Sequence, residues 1–353
     1  MGLGSSTRRV DGQRLGSISV DVLIPAHNED RQIASTLTQI SLALDRAKEK
    51  APALRSQIRV GADGCTDQTV RRVNDFDRNI GLIESRVSRG KWKTLRELVK
   101  QSQAEWVILA DAGILWPEDL LLQMLDWMQD PSVLGIAPTY RASAPGVRGS
   151  QLEGVHWKLE RFLKSQEAYL GGPVSVHGAT VAYRRQALNS VFDSLLDLNW
   201  LNDDVVIPLQ MRYLNPGKKI VYLSDVAVHD SGTDFTGPEV LPLSAIMKRG
   251  TRLVHGNSQW IRILLPQILR HRSEVAWVAS RRIARIFWAY WILLIALGIG
   301  CLEPWIVLAY LLFPGVLAIL RPKTFRKLVA AWMVSLNSPW QILTRSPLRD
   351  VAW

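Results

Sequence analysis

With 353 residues, the chain has room for one large α/β domain and something smaller beside it. Its formal net charge of +11 is uneven: residues 245–353 carry 15 Lys/Arg against 3 Asp/Glu, whereas the first 244 residues balance to −1. Two cysteines, Cys65 and Cys301, exclude a disulfide frame, and the apolar runs flanked by the late charges argue against nucleic acid as their partner.

Residues 1–18 are polar and basic, without an apolar core of signal-peptide length. They are expected to be disordered, and residues 19–245 to form a cytoplasmic domain. "SVDVLIPAHNED" reads as a strand and loop, followed by a helix from about Arg31 to Lys48. "QIRVGADGCTDQTVRRV" repeats that grammar with a Gly/Asp-rich turn. "GLIESRV" is a third short strand, and "GKWKTLRELVKQS" starts a helix on a basic N-terminus. In "WVILADAGILWPEDLLLQML" the apolar run Trp106–Ala110 is a buried strand that ends by presenting Asp111. Gly113 marks a turn, and Pro117-Glu118-Asp119 opens a helical pattern.

Strands alternating with helices predict a mostly parallel sheet covered on both faces. In such sheets ligands bind at the carboxyl ends of the strands. "PAHNED", "GADGCTD" and "ADAG" all fall there, which singles out Asp63 and Asp111. Neither GxGxxG after the first strand nor GxxxxGK[ST] occurs, so a glycine-rich phosphate cradle is poorly supported. Carboxylates suit the N–H groups of a base, a ribose hydroxyl or, with a divalent ion, a diphosphate.

From about Leu152 the alternation stops. "GGPVSVHGATVAYRRQAL" has a glycine-rich start, a short strand and a helix. Asp203 and Asp204 then precede a helix-like run, and "KKIVYLSDVAVHD" is a strand that reaches His229. Paired carboxylates at a helix start equally serve to cap the helix. Arg184 and Arg185 either shape the acceptor loop or lie on a surface, and His27 and His177 read as structural loop residues. Residues 246–282 are expected to be interfacial amphipathic helices, broken at Pro266. Residues 283–322 hold "IFWAYWILLIALGIGCL" and "WIVLAYLLFPGVLAIL", separated by Glu303-Pro304 and flanked by basic residues. That pattern predicts a membrane hairpin with both ends on the cytoplasmic side, and eight of the 14 tryptophans lie from Trp260 onward, where an interfacial belt would need them. Residues 323–353 are a basic interfacial or re-entrant segment.

In this order the pieces resemble the family 2 glycosyltransferases of the GT-A fold, in particular membrane-bound members that build polysaccharides. "VLIPAHNED" is similar to the family's "PxxNE" loop, "GADGCTDQT" to "DDGSTDxT", "GKWKTL" to "GKGxAL" and "LADAGILWPEDLL" to "DADxxxxPxxL". "GATVAYRRQAL" is similar to the acceptor-side "GxxxxxRRxAL", "NDDVVIPLQMR" to "TEDxxLxxR" and, weakly, "RGTRLVHGN" to "QxxRW" with its following "GN". The resemblance implies a GT-A nucleotide-sugar domain followed by interfacial and transmembrane helices. It places Pro25, Ala26 and Glu29 around the donor's base, Asp63 on uracil or ribose, and Lys91 near the base or phosphates. It makes Asp111 the first Asp of the DxD motif and Asp204 the catalytic base, with Gly178 and Asp203 on the acceptor side. Arg249 and Arg252 match the region that meets diphosphate and acceptor. A Mg2+ or Mn2+ ion would sit on Asp111, the phosphates and His229.

Two departures bear on function. Gly113 stands where the family has the second Asp of DxD, which weakens the metal site. Arg249 and Leu253 replace the Gln and Trp of QxxRW, and leucine cannot stack on a sugar face as an indole can. The reading is therefore an inverting transferase at the inner (plasma) membrane, multi-pass, acting on a nucleoside-diphosphate sugar and a polyprenyl-linked glycan, alone or with other polysaccharide-synthesis proteins. The alternatives are a processive polysaccharide synthase and a non-catalytic membrane scaffold of the same fold.

Overall fold

The structure is a computed structural model. It describes residues 17–141, 162–164, 166–167, 170–230, 243–271 and 273–302, with scattered positions between 329 and 344. Two compact units divide the chain: Met1–Asn199 with Asp203–Thr236 and Asp350–Trp353, and Trp200–Asn202 with Gly237–Arg349. The division expected after residue 245 falls inside a helix, Leu243–Ile263, so the units separate earlier.

The first unit opens with the alternation that its sequence predicts: β1 (Ser19–Ala26), α1 (Ile33–Lys50), β2 (Arg55–Asp63), α2 (Thr69–Asn74), β3 (Gly81–Ser85), α3 (Lys91–Gln101) and β4 (Trp106–Ala110). A two-residue strand β5 (Ile114–Leu115) and helix α4 (Leu120–Met128) follow. Then come β6 (Val133–Arg141), β7 (Thr180–Arg184), α5 (Arg185–Ser194), α6 (Asp203–Leu214) and β8 (Lys219–Asp230).

The strands form one sheet in the order β3-β2-β1-β4-β7-β6-β8-β5. β1 lies parallel between β2 and β4, with Val22 opposite both Ile58 and Ile108. Being covered on both faces, it is buried at every position after Ser19, as an internal parallel strand must be. Helix α1 covers one face through Ile33, Leu37, Ile40, Leu44 and Ala47, the spacing of a single helical stripe. Helix α3 buries Trp92, Leu95, Leu98 and Val99, and Trp92 meets Phe192 of α5 edge to face at 4.8 Å.

Past β4 the sheet turns mixed. β7 runs antiparallel to both β4 and β6, with Ala110 opposite Thr180. β6, which the sequence reading passed over, is parallel to β8, with irregular register at Val133/Gly135 and Pro138/Thr139.

In the second unit, α7 (Leu243–Ile263) is followed by α8 (Leu265–His271), with Pro266 in its first turn where a missing N–H costs nothing. Next come α9 (Ser273–Ile286) and α10 (Trp288–Leu302). Buried polar groups tie α7 to the segment Trp200–Asn202. Asn202 Nδ2 donates to Asn257 Oδ1 at 3.0 Å, which also accepts from Trp260 Nε1, and Leu201 N donates to Gln259 Oε1 at 3.0 Å. Among the described residues no helix is long and apolar enough to cross a membrane. The second apolar run, 305–320, lies outside the described residues, as do 1–16.

Candidate active site

The carboxyl ends of β1, β2 and β4 carry the polar loops. Asp63 ends β2 and is fully buried. Its Oδ2 accepts from Ser88 Oγ at 3.0 Å and from Gly90 N at 2.8 Å, and its Oδ1 accepts from Arg89 N at 2.8 Å. The carboxylate is turned into the protein, where it fastens the loop leading into α3. Gly90 ends that loop at φ 93, against Asn199, and Asn199 Nδ2 donates to Arg89 O at 2.9 Å. The loop is therefore clamped from both sides, and Lys91, the first residue of α3, is placed by it.

The Lys91 Nζ lies 2.8 Å from Asp111 Oδ1 and 3.1 Å from Asp203 Oδ2. Two carboxylates, 92 positions apart in the chain, share one ammonium. The Lys91 side chain is 16% exposed and that of Asp111 38%, so the cluster opens outward on the Asp111 side. Burial works against the charge of Lys91, but the two carboxylates outweigh it and hold the ammonium well above the ordinary lysine range.

Asp203 and Asp204 form the first turn of α6, where the helix dipole favours negative charge. The segment before β7 fixes them. Val176 N donates to Asp204 O at 2.9 Å, and a Cβ on Gly178 would stand 3.3 Å from Asp204 Cβ and 3.8 Å from Asp203 Oδ2. Ala179 O accepts from Asp111 N at 2.9 Å, so one strand entrance ties the two carboxylate groups together. Behind them lies Tyr183, whose phenol is pushed well above its usual range, first by burial and then by the Asp203 and Asp204 charges. The structure thus gathers Lys91, Asp111, Gly178, Asp203 and Asp204.

Other expected residues make contacts of their own. Pro25 and Ala26 are buried in β1, and Glu29 uses its backbone oxygen to start α1 and its N–H to bind Thr69 Oγ1 at 2.7 Å. These three shape the loop. His27 Nδ1 binds Asp63 O at 2.6 Å, a structural contact. Arg184 points to the far end of the sheet. It donates to Val133 O, Met128 O and Asp130 O, pairs with Glu105 at 2.6 Å, and lies over the Trp106 ring at 4.8 Å. Arg185 donates to Ala104 O at 2.6 Å. Since Trp106 opposes Arg184 and Ala110 opposes Thr180, the arginine pair sits roughly 17 Å or more from Asp111 along β4. Arg249 and Arg252 belong to α7 of the second unit.

The residues do not fit a tightly held divalent ion. Hard cations gather several oxygen ligands, yet Asp111 is already paired with Lys91, and Gly113 offers no side chain. His229 stands on β8 opposite Leu115, and among the described residues no group of three or more His, Cys, Asp or Glu is placed to hold a metal.

Two features escaped the sequence reading. The Ser88–Gly90 clamp has no motif beyond the glycine. Tyr140 and His177 stack at 3.5 Å with 6° between their planes, and Tyr140 Oη donates to Asp230 Oδ2 at 2.8 Å. Only the position of His177 beside Gly178 hinted at this stack.

Residues 18–256 match the family model described as "Glycosyltransferase like family 2". A poly-beta-1,6-N-acetyl-D-glucosamine synthase of Staphylococcus epidermidis is 20% identical over 197 residues, which are 55% of this chain and 45% of the synthase. The chain thus spans about half the length of the curated relatives it matches. Among solved structures, the mannosyltransferase PcManGT from Pyrobaculum calidifontis, in complex with GDP-Man and Mn2+, gives a TM-score of 0.66 at 19% identity. The match covers 92% of this chain and 87% of that one, and at this identity it shows the fold, which is GT-A-like.

Proposed function

We propose a donor, an acceptor and residue roles for this chain, which belongs to glycosyltransferase-like family 2 and is a glycosyltransferase. It moves a sugar, with inversion, from a uridine-diphosphate sugar to a polyprenyl-linked glycan in exopolysaccharide or cell-surface glycan synthesis. The observation that carries this reading is the Lys91 bridge, which brings the donor-side Asp111 and the acceptor-side Asp203 to one place with Asp204 next in the chain.

Asp204 takes the proton of the acceptor hydroxyl as that oxygen attacks the anomeric carbon from the face opposite the leaving diphosphate. The role matches that of the base carboxylate in inverting glycosidases, with a sugar hydroxyl in place of water. Gly178 leaves space over Asp204 for the acceptor. Lys91 meets negative charge growing on the departing diphosphate. No step runs through Mg2+ or Mn2+, although a Mn2+ ion accompanies GDP-Man in the Pyrobaculum enzyme. The basic, apolar second unit holds the enzyme at the cytoplasmic face of the inner membrane. Support comes from exposed Leu294, Ile295 and Leu297 on α10 together with the Arg281, Arg282 and Arg285 cluster before it.

The test is transfer from labelled UDP-sugars to a polyprenyl-linked glycan by the purified full chain. Asp204→Asn is expected to lower turnover by about 10²–10⁴-fold while UDP affinity stays within about threefold of wild type. Wild-type turnover by that variant sinks the base assignment. The Staphylococcus relative is named a polysaccharide synthase, which favours a second reading, processive synthesis. Long polymer rather than single addition would establish it, against the exposed Leu253 at the position of the stacking tryptophan.

A further inference from the structure

The cluster around Lys91 also bears on how the diphosphate is tied to Asp111. A metal ion in such a site does two things: it ties an aspartate to the phosphates, and it supplies positive charge where the leaving group needs it. Lys91 is built to do both. Its Nζ already binds Asp111 at 2.8 Å and Asp203 at 3.1 Å. An ammonium has three N–H donors, and these two carboxylates take two. The third is directed by them, and Asp111, being partly exposed, marks the side on which the cluster opens.

The ammonium is also fixed rather than floppy. Lys91 is the first residue of α3, behind a loop held by three hydrogen bonds to the buried Asp63 and by Asn199 from the other side. Long lysine side chains ordinarily lose rotamer freedom on binding. Here that ordering has been done before any ligand arrives. The second carboxylate that would favour a metal is replaced by Gly113, whose N–H is committed to Thr36 Oγ1 at 2.8 Å in the buried turn.

We propose that the Lys91 ammonium performs the bridging between Asp111 and the donor diphosphate that a divalent ion performs elsewhere, so that the nucleotide is held without a resident metal. This rests on the nucleotide-sugar reading, and one experiment separates the two. UDP and GDP binding to the full-length protein is measured by calorimetry in EDTA and in Mn2+, for wild type, Lys91→Met and Lys91→Arg. Manganese binding without nucleotide is followed by electron paramagnetic resonance.

Wild-type affinity for the better nucleotide is expected to differ less than fivefold between EDTA and Mn2+. Lys91→Met is expected to lose at least 30-fold in EDTA and to regain part of it with Mn2+, because the metal can then reach Asp111. Lys91→Arg keeps the charge and should stay within tenfold of wild type. A wild-type loss of fivefold or more in EDTA overturns the proposal while leaving the donor reading intact, and needs no variant to fold. So does a Lys91→Met protein that melts like wild type and binds nucleotide as well in EDTA. Failure of wild type to bind either nucleotide in either buffer overturns the donor reading, and the proposal with it.

Discussion

Asp63→Asn separates two jobs for one residue. If Asp63 contacts the donor, the variant should raise the donor KM and leave stability alone. The geometry demands the reverse. The carboxylate is fully buried and accepts from Ser88 Oγ, Arg89 N and Gly90 N at 2.8–3.0 Å. Asparagine fits the space but turns one acceptor into an NH2 group. Whichever oxygen is replaced, a backbone N–H then faces another donor, and an unsatisfied buried group costs about 1–3 kcal/mol. The remaining hydrogen bonds also lose their ionic half, since charge-assisted bonds are roughly twice as strong as neutral ones. Together these give a destabilisation of about 3 kcal/mol. In a unit of this size each kcal/mol moves Tm by about 2–4 °C, so a drop of roughly 6–12 °C is expected in calorimetry. Ser88→Ala should give a smaller drop, and the double variant less than the sum, because the two share one network. An Asp63→Asn protein that melts within 1 °C of wild type, with only its donor KM raised, would refute the clamp.

The same geometry makes three other forecasts. Arg184→Met gives up three backbone carbonyls, the Glu105 pair and the guanidinium over Trp106. It should lose about 2–3 kcal/mol in urea unfolding with kcat unchanged, and a kcat effect without a stability effect would restore Arg184 to the acceptor site. Gly178→Val pushes on Asp204 Cβ, 3.3 Å from the new Cβ; kcat should fall by about 10–100-fold with Tm nearly unchanged, and an active variant would show that nothing passes over Gly178. Asp130 is held down to about 2 from an ordinary 3.8, chiefly by the Ser132 hydroxyl and also by Lys219. A depressed folded pKa gives stability that is present above the unfolded value and lost as pH falls through the folded one, here about 1 kcal/mol once solvent screening of this surface group is allowed for. Asp130→Ala should therefore trail wild type by about that much from pH 7 to pH 5, with the gap closing below pH 4; a gap that persists unchanged at pH 3 contradicts the assignment.

What was legible in the sequence was local. The strand–loop–helix alternation through α4 follows from runs such as Val107–Ala110 and from the stripe Ile33, Leu37, Ile40, Leu44, and both survive in the structure. The mixed half of the sheet was not legible. β6 contains Pro138 and two register irregularities, which blur an alternating pattern, and nothing in residues 180–184 announces that β7 runs against its neighbours. At the site, motif order singled out Lys91, Asp111, Gly178, Asp203 and Asp204, which the fold brings near one another. It could not say which carboxylates face inward. Asp63 and Asp111 have the same signature, an acid at a strand end before a glycine, yet one is buried under a loop and the other pairs with a lysine from that loop's helix. The direction each takes depends on residues 88–90, which are remote in sequence from both strand ends.

Gly113 shows the same limit in one residue. Against the family pattern it is a lost metal ligand. In the structure it has φ 82, in the left-handed region, and its N–H binds Thr36 Oγ1 inside the protein. For an ordinary side chain that backbone costs about 1–2 kcal/mol, while Asn and Asp tolerate it better. The two readings part on three variants. If the glycine serves the turn, Gly113→Ala should lose about 1–2 kcal/mol in urea unfolding, Gly113→Asn and Gly113→Asp should lose less, and the Asp variant should bind Mn2+ no better than the Asn variant in electron paramagnetic resonance. If the glycine is only a deleted ligand, alanine should cost nothing and aspartate should bind Mn2+ at least tenfold more tightly than asparagine. The Ala–Asn difference reports backbone strain alone and the Asp–Asn difference reports the carboxylate alone, so a second family-like aspartate can be restored without mistaking relief of strain for a metal site.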